Sequence, residues 1–304
     1  MASPDLSGVE FEQHRPRLFG LAYRMLGSAA EAEDVVQDAF LRFRGADREA
    51  INALSAWLTK VVTNLCLNRL AAAARQREQY IGPWLPEPVI TEDGALGPLE
   101  TVQQRDSVSL ALLVLLERLT PAERAVFVLR EAFAYGHREI AEIMGISEAN
   151  CRQLHHRAKA RVDEGRPRFQ PDRRRRFDLL QRFLAAAQEG DLPVLEAFLA
   201  EDVVSWSDGG GQVTSARRPV LGREKVARLC AGLMNRATGI EFGFAEVNGD
   251  PAVVGLAGPV LLGVWVMEVT GERISALRAV SNPEKLDFLA RQLSRSGGLA
   301  GSSQ

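Results

Sequence analysis

The segment from residue 137 to residue 162 reads HREIAEIMGISEANCRQLHHRAKARV, and it constrains the fold more than any other part of the chain. Apolar residues at helical spacing predict one helix that ends at Gly145 and a second that begins after Ser147. Two helices joined by a short glycine-containing turn form a helix-turn-helix, which predicts DNA binding. The same spacing also fits a helical hairpin of a protein–protein module whose basic face is only solvated.

The second helix of this motif carries polar side chains on its outward positions. Arginine suits the edge of guanine, glutamine and asparagine suit adenine, and lysine suits the phosphate backbone, so this face is typical of a major-groove contact. The residues predicted to contact DNA are Asn150, Arg152, Gln153, His156, Arg157 and Lys159.

The composition is that of an ordinary globular protein, with 304 residues and a formal net charge of −2. This overall charge does not by itself suggest a nucleic-acid partner, so the local basic face matters more. The three cysteines lie far apart inside apolar helical patterns, which predicts reduced thiols. No apolar run reaches the ~20 residues that cross a bilayer, and the N-terminus lacks a signal-peptide core. We therefore expect a cytoplasmic protein without a membrane partner.

Four segments follow one another along the chain. Residues 1–80 read as successive amphipathic helices, and residues 106–165 as a second helical domain that contains the helix-turn-helix. Residues 81–105 form a linker because prolines and glycines exclude a regular helix over most of its length. Trp84 and Leu85 are costly to leave in water, so we expect part of this linker to dock on another surface.

Residues 166–304 form the last predicted domain, which begins with a second linker that reaches to about residue 176 and contains the basic run at 173–176. Helices come first, four alternating or apolar runs come later, and a final helix follows Pro283. Strands gathered behind helices predict an α+β domain. The predicted strands cover residues 240–247, 252–256, 260–269 and 273–280.

Three further segments precede the helix-turn-helix in a fixed order. They read DVVQDAFLRF at 34–43, AWLTKVVTN at 56–64 and LTPAERAVFVLRE at 119–131. The ordered set resembles regions two and four of the extracytoplasmic-function RNA polymerase sigma factors, over about residues 11–80 and 106–164. The resemblance implies a multidomain protein with two all-α sigma domains. It also implies core RNA polymerase and promoter DNA as partners. We expect no cofactor and no metal.

The resemblance implies roles for individual positions. The residues that correspond to the polymerase-binding surface are Asp34, Gln37, Asp38, Phe40 and Arg42. Those that correspond to the part that reads and melts the minus-ten element are Trp57, Lys60, Asn64, Asn68 and Arg69. The outward face of the helix-turn-helix would meet the minus-thirty-five element. For the acidic helix the alternative is a solvated face, and for Trp57 we favour a place in the core.

Three short motifs point to a subgroup of this family. They are WLPEP at 84–88, DGGGQV at 208–213 and NPEKL at 282–286, and they resemble the SigJ-type subgroup with a fused SnoaL-like domain. There the last two motifs more usually read DGGGK and NPDKL, so Gln212 and Glu284 are departures, and an ion pair at Gln212 is in doubt. The resemblance implies a cone of curved sheet and helices that contacts the first linker. The residues implied in this regulation are Trp84, Leu85, Pro86, Asp208, Gly209, Gly210, Gly211, Asn282, Pro283 and Lys285.

Other functions remain open at this point. SnoaL-like cones resemble enzymes that use a buried acid or base, but the last domain contains no histidine, and Asp202 and Asp208 are its obvious candidates. We favour a domain that binds a small molecule as a signal over one that catalyses a reaction. Cys151 and His155 stand four apart, but two ligands do not complete a zinc site. The glycines after Asp208 also fit a simple tight turn, and the helix-turn-helix alone would fit an ordinary repressor.

Overall fold

The computed structural model describes residues 6–77, 79–91, 94–96, 107–164 and 172–295. The chain forms two compact units, of which the first comprises Met1–Glu78 with Thr91–Arg166 and the second Gln79–Ile90 with Pro167–Gln304. The first half of the predicted linker thus groups with the C-terminal unit. Residues 97–105 of that linker lie outside the described residues.

The first unit is helical in all its described elements, as the sequence predicts. Thr120 accepts a hydrogen bond from the backbone of Glu123, whose side chain bonds back to Thr120, so the predicted capping box is confirmed. The helices are α1 (Leu6–Leu26), α2 (Ala29–Arg44), α3 (Leu54–Arg77), α4 (Leu110–Leu116), α5 (Pro121–Glu131), α6 (His137–Met144) and α7 (Glu148–Asp163).

The helix-turn-helix has the predicted geometry. Helix α6 ends at Gly145, which adopts a left-handed conformation with φ 67° and ψ 34°. A residue with a Cβ would be strained there, and glycine is not. Ser147 then accepts a hydrogen bond from the Asn150 backbone and starts α7. The turn therefore depends on two local sequence signals that lie within three residues.

A buried arginine and a half-buried one join the helices of the first unit. Arg124 of α5 donates 2.8 Å hydrogen bonds to the carbonyl oxygen of Met25 and to Glu117. Arg17 of α1 donates to Thr59 of α3 and to the hydroxyl of Tyr135, at 3.1 and 2.7 Å. Burial lowers the pKa of Arg124 to about 10, because desolvation disfavours its charged form. The two helical domains predicted from the sequence are therefore packed together within one unit.

The second unit is an α+β fold, as expected. Its elements are α8 (Arg173–Glu189), α9 (Leu192–Phe198), β1 (Leu199–Asp208), β2 (Val220–Leu221), α10 (Arg223–Met234), β3 (Glu241–Val247), β4 (Asp250–Ala257), β5 (Val260–Thr270), β6 (Arg273–Val280) and α11 (Pro283–Arg295). The described strands form one sheet in the order β2-β1-β6-β5-β4-β3, in which β1 and β6 are parallel and the other neighbours antiparallel.

Two features of this unit differ from the sequence analysis. Strands β1 and β2 were not among the four predicted strands. The run at 173–176 is not a linker but the first turn of α8, because Asp172 accepts a hydrogen bond from the Arg175 backbone and caps the helix. Arg173 and Arg176 of this turn form ion pairs with Glu246 and Asp250.

The sheet separates two apolar layers. Helices α8, α9 and α10 cover one face, where buried side chains such as Phe183, Val226 and Ile274 form a core. Helix α11 packs near β5 and contributes the buried Leu286, Leu289 and Leu293. Along the described residues, no helix combines the length and apolar character that crossing a membrane requires.

Candidate functional site

The outward face of α7 is solvent-exposed at all six positions predicted to contact DNA. Cys151, Ala158 and Val162 on the opposite side of the helix have no exposed surface, so they fix its rotation about its own axis. Arg152 pairs with Glu148 one turn earlier, and both side chains are largely exposed. Such an exposed pair contributes at most about 1 kcal/mol, so Arg152 can exchange it for a phosphate or a base.

Helix α7 also makes charged contacts near its middle, at His155, and near its C-terminal end, at Arg161. Arg161 donates to the buried carboxylate of Glu123 at 2.6 Å. His155 lies 2.8 Å from Glu131 and 3.4 Å from the Nε2 atom of His137. The pKa of His137 is lowered, first by desolvation and then by the charge of Arg130. These contacts orient the helix without using its outward face.

The metal reading of Cys151 and His155 gains no support from the geometry. Cys151 is fully buried in the helical core, and burial raises the pKa of its thiol. Within the described part of the chain, no three histidine, cysteine or acidic side chains come together in a way that could hold a metal ion. His155 instead interacts with Glu131.

Helix α2 presents the predicted polymerase-binding residues on its outer side. Asp34, Gln37 and Arg42 are exposed, whereas Phe40 is half-buried with its ring 5.0 Å from that of Phe11. Leu41 lies on this side as well, with 55% of its surface exposed. The sequence analysis missed Leu41, although an apolar residue beside charged ones on an outward helical position was the available signal.

Helix α3 distributes its five predicted minus-ten residues over different environments. Lys60 and Asn68 are exposed, and Asn64 is half-buried. Trp57 is also half-buried, with its ring 6.3 Å from that of Phe43, so part of it belongs to the core as favoured. Arg69 is half-buried as well. Its guanidinium donates to Asp38 and to the Glu31 carbonyl oxygen, at 3.0 and 3.2 Å, and therefore faces α2.

A buried ion pair lies at the centre of the linker contact in the second unit. Lys285 Nζ donates to Asp208 Oδ2 at 2.7 Å and to the Leu85 carbonyl oxygen at 2.5 Å. The Leu85 backbone amide donates to the same Asp208 oxygen at 2.7 Å. Leu85 is 1% exposed and Asp208 fully buried. The predicted docking of the linker therefore takes place on the C-terminal unit.

Two aromatic rings of the linker cover this ion pair. The rings of Trp84 and Tyr80 have their centroids 4.2 and 4.6 Å from Lys285 Nζ, within the range of a cation–π interaction. The Tyr80 hydroxyl donates to Asp208 at 2.5 Å and accepts from the Asn282 amide at 2.9 Å. Desolvation, followed by the hydrogen bond to Asp208, raises the pKa of Tyr80 above its usual range. Tyr80 was missed because it stands just before the recognised motif.

The glycines after Asp208 allow a close approach of two chain segments. A Cβ on Gly210 would overlap the Asn282 amide, and one on Gly211 would lie 2.9 Å from Ile81 Cδ1 in the linker. Both glycines also have positive φ, so the turn reading and the contact reading are compatible. The two departures from the subgroup motifs meet each other, because Gln212 Nε2 donates to Glu284 Oε1 at 2.7 Å.

A second anchor holds the end of the linker. The Val89 backbone amide donates to the side-chain oxygen Oδ1 of Asn248 at 3.0 Å. The Asn248 backbone amide donates to the Val89 carbonyl oxygen at 2.9 Å. The Ile90 amide donates to Gln292 Oε1 at 2.9 Å. Asn248 and Gln292 were missed. The Asn248-Gly249 dipeptide signalled a hairpin turn between β3 and β4, but not its partner.

Among the described residues, neither acidic residue considered for catalysis lines the apolar cavity between α8, α10 and the sheet. Asp208 points to Lys285, on the opposite side of β1 from Ser207. Asp202 is exposed near the start of β1. The enzyme alternative therefore has no support from these two carboxylates.

Comparison with known proteins gives matches along both units. The family Sigma-70 region 2 matches residues 11–76, and Sigma-70, region 4 matches residues 109–162. The ECF RNA polymerase sigma factor SigJ of Mycobacterium tuberculosis is 38% identical over 289 residues, which cover 91% of this chain and 92% of SigJ. The probable ECF RNA polymerase sigma factor SigI of the same organism is 32% identical over 300 residues, which cover 96% of this chain and 99% of SigI.

A solved structure matches as well. The crystal structure of Mycobacterium tuberculosis extracytoplasmic function sigma factor SigJ superposes with a TM-score of 0.74 at 34% sequence identity. The match covers 92% of this chain and 98% of that one. The similarity thus includes the C-terminal unit as well as the helical one.

Proposed function

Because this chain belongs to the extracytoplasmic-function family of RNA polymerase sigma factors, we propose how its own residues divide the work of promoter recognition and its control. The resemblance and the fold class expected from the sequence are confirmed by the sigma regions and the SigJ structure. The chain is an alternative sigma factor that directs core RNA polymerase to promoters. The assignments of individual residues below are proposals.

The exposed basic side of α7 is the observation that carries the assignment of the minus-thirty-five contact. Six polar or basic side chains project from one side of a helix whose other side is locked into the core. We assign base contacts to Arg152, Gln153 and Arg157, because their side chains can donate two hydrogen bonds or pair donors with acceptors at a base edge. Asn150, His156 and Lys159 complete this face.

Region two contributes two surfaces. We propose that Asp34, Gln37, Asp38, Leu41 and Arg42 on α2 bind the polymerase, since they combine charge with one exposed apolar side chain. On α3, Lys60, Asn64 and Asn68 remain available to the minus-ten element, together with the exposed part of Trp57. Arg69 acts instead by orienting the α2 carboxylates, to which its guanidinium is bonded.

The C-terminal unit controls activity by holding the linker. Residues 80–90 connect region two to region four along the chain. Their backbone forms hydrogen bonds with Asp208, Lys285, Asn248 and Gln292. A linker that is hydrogen-bonded to a folded surface cannot extend. Its docking therefore limits how far the two DNA-binding regions can separate. Trp84, Leu85 and Pro86 supply the apolar part of this contact. The surface that contacts the linker is formed by residues 208–211, Asn282, Pro283 and Lys285.

An experiment with purified components tests this division. The full-length chain is mixed with core RNA polymerase at low salt, and co-elution and transcription from a library of genomic fragments are measured. We expect the wild-type chain to co-elute with core polymerase and to support transcription. We expect Leu41→Ser to weaken co-elution by at least fivefold. Leu221→Ser, at another exposed leucine in the C-terminal unit, is the matched control and leaves it unchanged. Failure of the wild-type chain to associate with core polymerase would overturn the proposal.

We also propose that the C-terminal unit binds a small molecule rather than catalysing a reaction. Helices α8 and α10 and the adjacent face of the sheet form a partly open cavity of about 60 Å³ with an almost entirely apolar lining. No acidic, basic or histidine side chain is among the described residues that line it. Such a site favours binding over acid–base chemistry.

A further inference from the structure

Two serines of β1 are the exception to the apolar lining of this cavity. Ser205 and Ser207 are 4% and 9% exposed and, standing two apart on a strand, point to the same side. Both line the cavity. Two hydroxyls on the wall of one cavity can both donate a hydrogen bond to a single ligand atom that lies between them.

The remaining lining defines the rest of that ligand. Phe183, Phe242 and Trp265 offer aromatic surfaces, and Met234 and Met267 offer flexible thioethers. Burial raises the pKa of the Cys230 thiol to about 12, so this residue is neutral as well. A charged ligand would lose its hydration without finding a counter-charge. The site therefore suits an uncharged, mainly apolar molecule with one oxygen.

We propose that the cavity binds a small uncharged carbonyl compound with an apolar or aromatic body, and that β1 transmits its presence to the docked linker. A carbonyl oxygen has two lone pairs, which match the two donor hydroxyls of Ser205 and Ser207. The proposal deepens the small-molecule binding proposed above and rests on it.

The transmission follows from the alternation of side chains along one strand. Ser207 faces the cavity, and its neighbour Asp208 faces the other side, where it accepts hydrogen bonds from the Leu85 amide and from Lys285. The Asp208 carbonyl oxygen also accepts from the Ser281 and Asn282 amides, at 2.8 and 3.0 Å. A shift of β1 at Ser207 therefore acts directly on the groups that hold the linker. Reciprocally, linker docking changes the affinity for the ligand by the same factor.

The size of the cavity sets a limit on the ligand. A volume of about 60 Å³ is smaller than the ~150 Å³ of an engineered cavity that accepts benzene. A one-ring compound thus requires lining side chains such as Met234 and Leu233 to move, and Leu233 is 38% exposed. Methionine changes rotamer at low cost, which makes this adjustment feasible.

Binding of a matched pair of probes tests the ligand class. Acetophenone carries the carbonyl oxygen, and α-methylstyrene replaces this oxygen with a methylene group of similar shape. Their affinities for the full-length chain are measured by ligand-observed NMR. We expect acetophenone to bind about fivefold more tightly, which corresponds to one net hydrogen bond. The double variant Ser205→Ala/Ser207→Ala should lose this preference, and Ser294→Ala, at an exposed serine on α11, should keep it.

Amide hydrogen exchange with saturating acetophenone tests the transmission. The Leu85 amide, bonded to Asp208, should change its exchange rate at least threefold, whereas the Val89 amide, bonded to Asn248, serves as the internal reference and should not change. Equal affinities for the two probes, or no binding, would overturn the ligand class. Binding without a change at Leu85 would overturn the transmission. If the double variant does not fold, Ser207→Ala alone carries the comparison.

These measurements contain neither polymerase nor DNA. Their failure therefore leaves the assignment of the sigma surfaces intact, and failure of the transcription experiment leaves the cavity assignment intact. If neither probe binds, the cavity is packing space only, and the small-molecule proposal falls with its deeper form.

Discussion

Lys285 and Asp208 form a buried ion pair in which Nζ lies 2.7 Å from Oδ2, and both groups bond to the backbone of Leu85 in the linker. The side chain of Lys285 is 9% exposed and that of Asp208 is 0% exposed. Two desolvated charges stabilise a fold only where further hydrogen bonds satisfy them, and here the linker supplies those bonds. Docking of the linker and folding of the C-terminal unit are therefore energetically linked.

Lys285→Met should destabilise the chain by about 3 kcal/mol, because it leaves the Asp208 carboxylate buried without its counter-charge. Denaturant unfolding of the full-length protein measures this loss. Lys225→Met removes an exposed lysine from α10 and should change stability by no more than about 0.5 kcal/mol. Equal effects of the two substitutions would show that the ion pair does not matter.

Gly210→Ala should lower stability by more than Gly239→Ala. Both glycines have positive φ, 61° and 75°, so both alanines bear a backbone strain of about 1 kcal/mol. Only at Gly210 would the added Cβ also overlap the side-chain amide of Asn282. At Gly239 the added Cβ would have no neighbour within 4 Å. Thermal melting of the two variants gives the difference, and similar melting temperatures would contradict the close approach.

Gln212→Lys restores the charge that the subgroup motif usually carries. Because Gln212 and Glu284 are exposed, the new ion pair should stabilise the chain by no more than about 1 kcal/mol. The gain should fade in high salt, since exposed charges are screened. Gln212→Glu should instead be slightly destabilising at low salt. Melting temperatures at two salt concentrations decide this, and a gain independent of salt would argue against an ion pair.

Arg152→Ala and Arg157→Ala should each cost about 1–3 kcal/mol in promoter discrimination, as expected for the loss of a base contact. The measurement compares transcription from a cognate promoter with that from promoters mutated in the minus-thirty-five element. Arg228→Ala is the control, because Arg228 pairs with Glu224 on α10 as Arg152 pairs with Glu148 on α7. Unchanged transcription from the cognate promoter in both α7 variants would contradict the groove assignment.

Acidification should destabilise the joint between α6 and α7 through His137. Its pKa in the folded protein lies below 6.5, so the unfolded chain binds more protons as the pH falls below that value, and stability is lost. NMR titration of the imidazole measures the pKa. Arg130→Gln should move it upward, because Arg130 contributes to the lowering, and Arg138→Gln should not. A folded-state pKa at or above 6.5 would refute the prediction.

Local signals predicted the first unit well because helices depend on contacts close in sequence. The capping box of Thr120 and Glu123, the left-handed Gly145 and the cap at Ser147 each lie within a few residues of the turns they define. Sigma regions two and four followed from the order of their motifs, and the family matches confirm them. The docking of Trp84 and Leu85 followed from their apolar character.

The sequence by itself therefore determined the helices of the first unit, the turn of the helix-turn-helix and the family. It also determined that the linker docks on another surface. Only the tertiary structure decided that β1 is a strand, since it pairs in parallel with β6 far along the chain. It also decided that Arg69 faces α2 and that Tyr80, Asn248 and Gln292 hold the linker. The physical reason is range: caps and helical periodicity act over a few residues, whereas strand pairing and buried charge pairing join groups that only the folded chain brings together.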